Sequence, residues 1–483
     1  MLYLLVGLNL IVGAAIFALP ADKKHLPRWF ALAAAVVSLA TAIAVFAGYD
    51  RDVGGYQFQR SLDWLPSIGI SLDVGVDGIS SPMVLLTGVV VIAAVLISWG
   101  IDERPREYFA LMLLLVAGTF GVFVVLDLFF LFFFYEVAVL PMFLLIGVWG
   151  GTRKSYASMK LVMYLLAGSI LVWAALLVLY FDAGIGSFNI LELEQAGVNT
   201  TAARVIFPLF YVGFGVLAGM WPFHTWSPDG HVAAPTAVSM LHAGVLMKLG
   251  AYGIIRVGMQ LVPEGASYWL GIFLALAVVN VVYGAIAAMG QRDLKFVIGY
   301  SSVSHMGYVL MGIGSMTVVG MNGAVLQMFS HGIMTALFFA MVGVIYDRAH
   351  TREIGAFSGM ARVMPKFSAL FIVGGLASLG LPGLSGFAAE FLVFVGTFET
   401  APWMAVLGII GVAITATYIL RLVARMFFGP VTEKWQGLPD ASRLETAVGV
   451  MLVGLLVLFG VYPQLIVGTI DVSAIPLLAN LEG

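Results

Sequence analysis

The chain has 483 residues, 61% of them hydrophobic and 10% charged, with a formal charge of −3 and no cysteine. Globular domains carry about 25% charged residues, so this balance excludes a soluble domain, and the small net charge gives no basis for binding nucleic acid. Disulfides and cysteine ligation of iron–sulfur clusters are excluded with the cysteines.

At roughly 20 apolar residues per span, the chain reads as an all-α polytopic membrane protein of about fourteen helices. They are 2–20, 29–48, 80–101, 107–125, 127–148, 156–181, 203–224, 233–259, 266–289, 293–314, 318–347, 367–397, 401–428 and 442–470. Residues 1–483 form a single membrane domain with no linker or low-complexity tract. The first segment lacks the basic flank of a signal peptide and is followed by a second span, so it reads as retained. The longest loop, 49–79, is rich in turn residues and has room for a short hairpin. Two spans are interrupted. The seventh runs into a polar patch with Pro222, His224, Asp229 and His231, closed by Pro235. The twelfth is broken at 379–386 by L-G-L-P-G-L-S-G, which holds Pro382 and Gly383. Backbone breaks at membrane depth line protein or a water-filled cavity.

Charge sets the expected orientation. With both termini on the non-cytoplasmic side, eighteen of the 23 lysines and arginines fall at cytoplasmic ends, Lys160 and Lys295 among them. Only Arg51, Arg60 and Arg204 fall outside, which is the positive-inside pattern. The other two, Lys248 and Arg256, lie in the eighth span.

Setting aside charges that reach a membrane surface leaves a short list. Glu136 is mid-way along the fifth span in F-F-F-Y-E-V-A-V-L-P, with no local partner. His242 and Lys248 lie on the eighth, six residues apart and so roughly 120° apart around the axis. His305 is in the tenth span, His331 in the eleventh, and Glu390 four residues past the break in the twelfth, near the positive end of a half-helix. Each intramembrane charge costs roughly 2.5–3.5 kcal/mol on insertion scales and marks a functional position. Glutamate, histidine and lysine bind and release protons, which an always-charged arginine does not. A lone membrane histidine is as readily a helix–helix hydrogen-bonding residue, and Glu136 with Lys248 would make a structural ion pair. Five such residues on separate helices, beside two broken ones, favour a proton relay. G-F-G-V-L-A-G at 213–219 reads as helix packing, and His224 and His231 lack the spacing of a helical zinc pair.

These segments resemble the antiporter-like subunits of respiratory complex I, in particular the chain M type of NADH:quinone oxidoreductase. The matching stretches are F-Y-E-V-A-V-L-P-M-F-L-L-I around Glu136, P-F-H-T-W-S-P-D-G-H-V-A-A-P-T-A at 222–237 and A-G-V-L-M-K-L-G-A-Y-G-I-I-R at 243–256. D-L-K-F-V-I-G-Y-S-S-V-S-H-M-G at 293–307 and L-P-G-L-S-G-F-A-A-E-F-L at 381–392 complete the set. The resemblance implies two inverted five-helix repeats, 107–259 and 266–428, flanked by 1–101 and 442–470, with the breaks in helices seven and twelve as corresponding elements. It implies that Glu136 is the essential glutamate, Lys248 the central lysine, His305 and His331 bridging histidines and Glu390 the terminal acid. The family's second lysine, seven residues before the histidine of P-F-H, is absent: Leu217 stands there. His242 is the candidate substitute, in which case His242→Ala abolishes translocation.

The function so implied is proton translocation in a bacterial inner membrane, driven by quinone reduction elsewhere. FMN, iron–sulfur clusters and quinone are expected on partner subunits and none on this chain, and the partners are the lipid bilayer and neighbouring membrane subunits. Two other readings share the motifs: the D-type subunit of an Mrp-type sodium/proton antiporter or a membrane-bound hydrogenase, and a spacer subunit that has lost pumping, for which Leu217 speaks.

Overall fold

The computed structural model describes residues 1–20 and 22–482. Among these, thirteen helices are long and apolar enough to cross a membrane, and two shorter apolar ones, Leu2–Phe17 and Pro365–Ser378, join them. In chain order the bundle begins with α1 (Leu2–Phe17), α2 (Leu26–Ala47) and α3 (Ser80–Ile97). Then come α4 (Pro105–Val124), α5 (Leu128–Trp149), α6 (Lys154–Ala183) and a short α7 (Ile190–Ala196). The first broken helix is α8 (Thr200–Ala218) and α9 (Trp226–Ala233). Next, α10 (Thr236–Leu241) and α11 (Met247–Gly253) belong to one continuous helix, Thr236–Met259, in which His242–Leu246 and Ile254–Met259 are π-helical. Then follow α12 (Pro263–Met289), α13 (Leu294–Gly314), α14 (Val318–Ala349) and the single turn α15 (Met360–Val363). The second broken helix is α16 (Pro365–Ser378) and α17 (Ser385–Thr400), before α18 (Pro402–Phe427), α19 (Arg443–Val461) and α20 (Gln464–Glu482).

Local chemistry sets many of these ends. Pro263, Pro365 and Pro402 each open a helix, where a missing N–H costs nothing. Asp127, Asn189, Asn199, Asp293 and Thr317 accept hydrogen bonds from first-turn N–H groups, and Ser442 with Glu445 forms a full capping box. The breaks fall where expected, with α8 ended by Gly219 at φ +77°. Loop 49–79 does hold a hairpin, with β1 (Gln57–Arg60) antiparallel to β4 (Val74–Val76) and, nested inside, β2 (Asp63–Leu65) to β3 (Ile70–Ser71).

One predicted helix is corrected. The segment 442–470 is not continuous: α19 stops at Val461 because Pro463 bars the helical conformation from Tyr462, which turns out to φ −128°, ψ 66°. A separate α20 follows, and the sequence reading missed it. It is apolar enough to span, yet every contact places it flat across one face. Leu465 accepts from Arg51, Ser473 Oγ accepts from the Gly78 N–H, Asp471 accepts from Asn322, and Leu481 accepts from Ser267. These partners all sit on the side that carries the hairpin, called here the hairpin face.

The middle of the bundle is α14 and the Thr236–Met259 helix, each fully buried over its most apolar eighteen-residue stretch. A helix apolar on every side belongs in such a position. Lys248 and His331 are on these two helices, so the costliest polar groups sit where lipid does not reach.

Candidate functional site

Pro235 cannot continue the backbone ladder from α9, and Ala234 turns extended before the helix restarts at Thr236. That helix widens into a π turn at His242–Leu246, a feature concentrated at functional sites. Lys248 follows directly, with no solvent exposure. Its Nζ donates to the Ala243 carbonyl and lies 2.7 Å from His331 Nδ1 on α14. The approach depends on Gly332, the next residue: a Cβ there would stand 2.6 Å from the Gly244 carbonyl oxygen of the π turn. Only a glycine lets α14 close to this distance.

From His331 the polar groups continue through the second broken helix. The His331 and His305 rings are 5.4 Å apart between centroids, and His331 Nε2 makes no hydrogen bond. His305 Nε2 is 3.0 Å from Ser378 Oγ, at the end of α16, and His305 Nδ1 is 3.3 Å from Glu390 Oε1 on α17. Gln327 Nε2 is 3.1 Å from the same Nδ1, so the ring faces an amide and a carboxylate together. Neither Gln327 Oε1 nor Glu390 Oε1 has a hydrogen bond, so turning the amide over while Nδ1 carries the hydrogen exchanges one partner set for the other. Glu390 reaches back to the break, as helical side chains do. A Cβ on Gly380, at φ +75°, would meet Glu390 Oε2 at 2.9 Å. Ser378 also leads away, through Ser301 at 3.5 Å to the hydroxyl of Tyr418 on α18, which donates to Ser301 at 2.8 Å.

The sequence-predicted residues therefore divide. Lys248, His331, His305 and Glu390 form one buried string. Glu136 stands apart: it accepts a 2.5 Å hydrogen bond from Ser169 on α6, and no cation lies within 4.0 Å of it among the described residues. An ion pair with Lys248 is thus ruled out. Leu217 is fully buried on α8 and supplies no replacement charge. His242 goes elsewhere again, stacked on Trp226 with its ring 4.0 Å from that of His231, and none of the four ring nitrogens of His231 and His242 is hydrogen-bonded. His224 packs edge-on against Tyr283. Pro222 belongs to the break after α8, while Pro382 and Gly383 make the break before α17.

Three polar residues escaped sequence reasoning. Lys295, counted as a surface charge, is buried, and its Nζ donates to the Ala234 carbonyl at the helix break, 2.5 Å away. Lys160, counted likewise, pairs at 2.7 Å with Asp229 in the broken helix. Asp77, in the loop before α3, pairs at 2.7 Å with Arg256, both almost fully buried. Burial pushes the Asp77 carboxyl up, but the Arg256 guanidinium and the hydrogen bonds from Ser80 outweigh it and hold the group below its ordinary value. Tyr56 and Gln260 complete the cage around Arg256. A Lys–Asp or Arg–Asp pair so far apart in the chain leaves no spacing signal.

Comparison with known proteins bears on what such a string does. The profile of a membrane family described as NADH:quinone oxidoreductase/Mrp antiporter matches residues 125–415. The NADH-quinone oxidoreductase subunit M of Rhodobacter capsulatus is 39% identical over 473 residues, 95% of this chain and 92% of that protein. An NAD(P)H-quinone oxidoreductase chain 4 of Thermosynechococcus vestitus is 37% identical over 99% of this chain and 91% of its own length. A chain in the structure of respiratory complex I from Thermus thermophilus with bound NADH superposes with a TM-score of 0.91 at 29% identity, covering 99% and 100% of the two chains. A chain of an Mrp complex from a Dietzia species has the same fold, with a TM-score of 0.89 at 21% identity, over 100% of this chain and 99% of that one.

Proposed function

The chain belongs to the NADH:quinone oxidoreductase/Mrp antiporter family of membrane proteins, and we propose that it is the proton-translocating, non-redox subunit of a complex I-type assembly in a bacterial inner membrane. FMN, iron–sulfur clusters and quinone then reside on partner subunits, in keeping with a chain that has no cysteine. Both chain ends lie on the non-cytoplasmic side, with the hairpin face, because the basic residues gather at the opposite face. Residues 107–259 and 266–428 act as two inverted repeats, each with one broken helix.

The observation that supports this reading most is the 2.7 Å approach of Lys248 Nζ to His331 Nδ1 inside the bundle. A protonated Lys248 donates a hydrogen bond to Nδ1, and transfer of that proton makes His331 the cation. The ring releases a proton from Nε2, which has no protein partner, so water carries it across to His305. His305 accepts on one nitrogen and gives from the other, with Glu390 as the acceptor 3.3 Å away. Glu136 is the input acid of the first repeat and reaches Lys248 through water, since no hydrogen-bonded protein chain joins them among the described residues. The experiment is proton pumping by the assembled complex in proteoliposomes, with electron transfer recorded in parallel. Lys248→Met should abolish pumping while the complex still assembles; pumping at the wild-type ratio of protons to electrons would overturn the proposal.

One observation favours the spacer reading instead. The site of the family lysine is Leu217, fully buried, and Glu136 has only a serine for company.

A further inference from the structure

At the face opposite the hairpin, a cavity of about 340 Å³ opens between the end of α12, the turn into α13, the 353–355 strap and the last turns of α18. Arg292, Arg421 and Arg425 line it, and all three are exposed. Some other basic residues at this end are paired: Arg28 with Asp102, Arg348 with Glu445, Arg352 with Asp293 and Lys160 with Asp229. The three cavity arginines make no ion pair or side-chain hydrogen bond among the described residues. The one acid on the lining is Glu353, too far from any guanidinium to pair with it. The lining thus carries a net charge of about +2, two of its arginines on the last turns of α18 and the third in the α12–α13 turn. Gly355, which lacks a Cβ, lets the Arg425 guanidinium lie over the strap, 3.3 Å from where a Cβ would be.

Below the cavity the surface turns apolar. Tyr283, Ile286 and Met289 are exposed at i, i+3, i+6 along α12, and Met289 itself lines the cavity. On α18, Leu420 is exposed beside Arg421. A basic concavity at headgroup depth, continuous with an apolar stripe running into the bilayer, matches one ligand chemistry: an anion joined to hydrocarbon.

We propose that this cavity binds the phosphate of an anionic phospholipid, with the acyl chains lying along the exposed stripe of α12. Arg421 and Arg425 hold the phosphate from α18, and Arg292 closes the site from the α12–α13 turn. The assignment is independent of any proton transfer by the chain. It also concerns the second broken helix, because Tyr418 forms part of the cavity lining while its hydroxyl bonds to Ser301.

The test uses the assembled complex in nanodiscs of phosphatidylcholine with a minority of photoreactive phosphatidylglycerol, and labelled peptides are mapped after illumination. Labelling should fall on 283–292 and 418–425. It should drop about twenty-five-fold in the Arg421→Ala/Arg425→Ala variant, each arginine being worth roughly fivefold. The Arg421→Lys/Arg425→Lys variant should keep most of it, which separates lost charge from lost folding. Unchanged labelling in the alanine variant would overturn the site, as would equal competition by unlabelled phosphatidylcholine. Displacement by inorganic phosphate as effective as by phosphatidylglycerol would remove the role of the acyl stripe and with it the lipid assignment. A photoreactive side chain at Arg292 that captured a neighbouring subunit instead of lipid would assign the cavity to a protein partner.

Discussion

Lys248 and His331 meet at 2.7 Å because Gly332 lets α14 rest on the π turn at Gly244. The contact can be loosened without touching either titratable group. Gly332→Ala places a methyl against a backbone carbonyl and should push the helices apart, at a cost of roughly 1–3 kcal/mol in stability. Pumping should fall about tenfold in proteoliposomes with electron transfer retained in the assembled complex. His331→Gln, which keeps a polar group without a titrating ring, should pump no better than Lys248→Met. Wild-type pumping in Gly332→Ala would show that the close contact is dispensable.

Leu217→Lys is the variant that separates a pump from a spacer. It puts an ammonium on α8 where the resemblance to chain M subunits implies one. If Glu136 is an active input acid, the substitution should change the ratio of protons to electrons, and Glu136→Gln should abolish pumping in both backgrounds. A pure spacer would show the same activity in all of them. His242→Ala adds a control: its ring stacks on His231 and Trp226, away from any bond to Glu136. Loss of pumping in it would implicate the histidine pair rather than a direct substitute for the lysine.

The buried Asp77–Arg256 pair should matter for stability more than for transport. Arg256→Ala strands a buried carboxylate and should cost about 3–5 kcal/mol, read as a large fall in thermal unfolding temperature of the detergent-solubilised protein. Asp77→Leu/Arg256→Met should recover much of that loss. A double variant as unstable as Arg256→Ala would show that the hydrogen bonds of Tyr56 and Gln260, not the pair, hold this corner.

Asp127 gives a pH signature. It caps α5, accepting from the Phe130 N–H at 3.0 Å and the Ser71 N–H at 3.3 Å. Burial nevertheless pushes its carboxyl from 3.8 up to about 6, with the nearby Asp73 charge adding to the effect. The folded protein therefore holds this proton more tightly than the unfolded chain. Its contribution is complete below about 4 and disappears as pH rises through about 6. Asp127→Asn keeps the cap and removes the charge, so it should gain stability over wild type by at most about 3 kcal/mol as pH climbs through that window. Parallel melting curves of the two proteins from acid to neutral pH would refute the assignment.

What could be read from residues alone followed the range of the signal. Span count, both helix breaks and the string from Lys248 to Glu390 rest on local cues: apolar length, Pro235, Pro382, and charged residues in apolar runs. Contacts between distant segments left no such trace. Asp77 carried no cue in the sequence and Arg256 stood only as a charge within the eighth span, because their pairing joins segments far apart in the chain. Lys295 read as a surface lysine, since its buried partner, the Ala234 carbonyl at the break after α9, lies in a distant part of the chain. The end of α19 was missed for a different reason: Pro463 was in view, but the apolar run beyond it masked the turn onto the hairpin face.

Two π turns bracket Met247–Gly253, and each stores one residue more than an α-helical path needs. The seven-residue segment between them is thus a spindle on two slack bearings. Passing the surplus residue from one end to the other would rotate the segment by about 100° while leaving Pro235 and Pro263, on either side of the helix, fixed. Lys248 would leave His331 and face another sector of the bundle. Labelling a cysteine introduced at Leu249 with the assembly at rest and during turnover would report that rotation; identical accessibility in both conditions would mean the spindle does not turn.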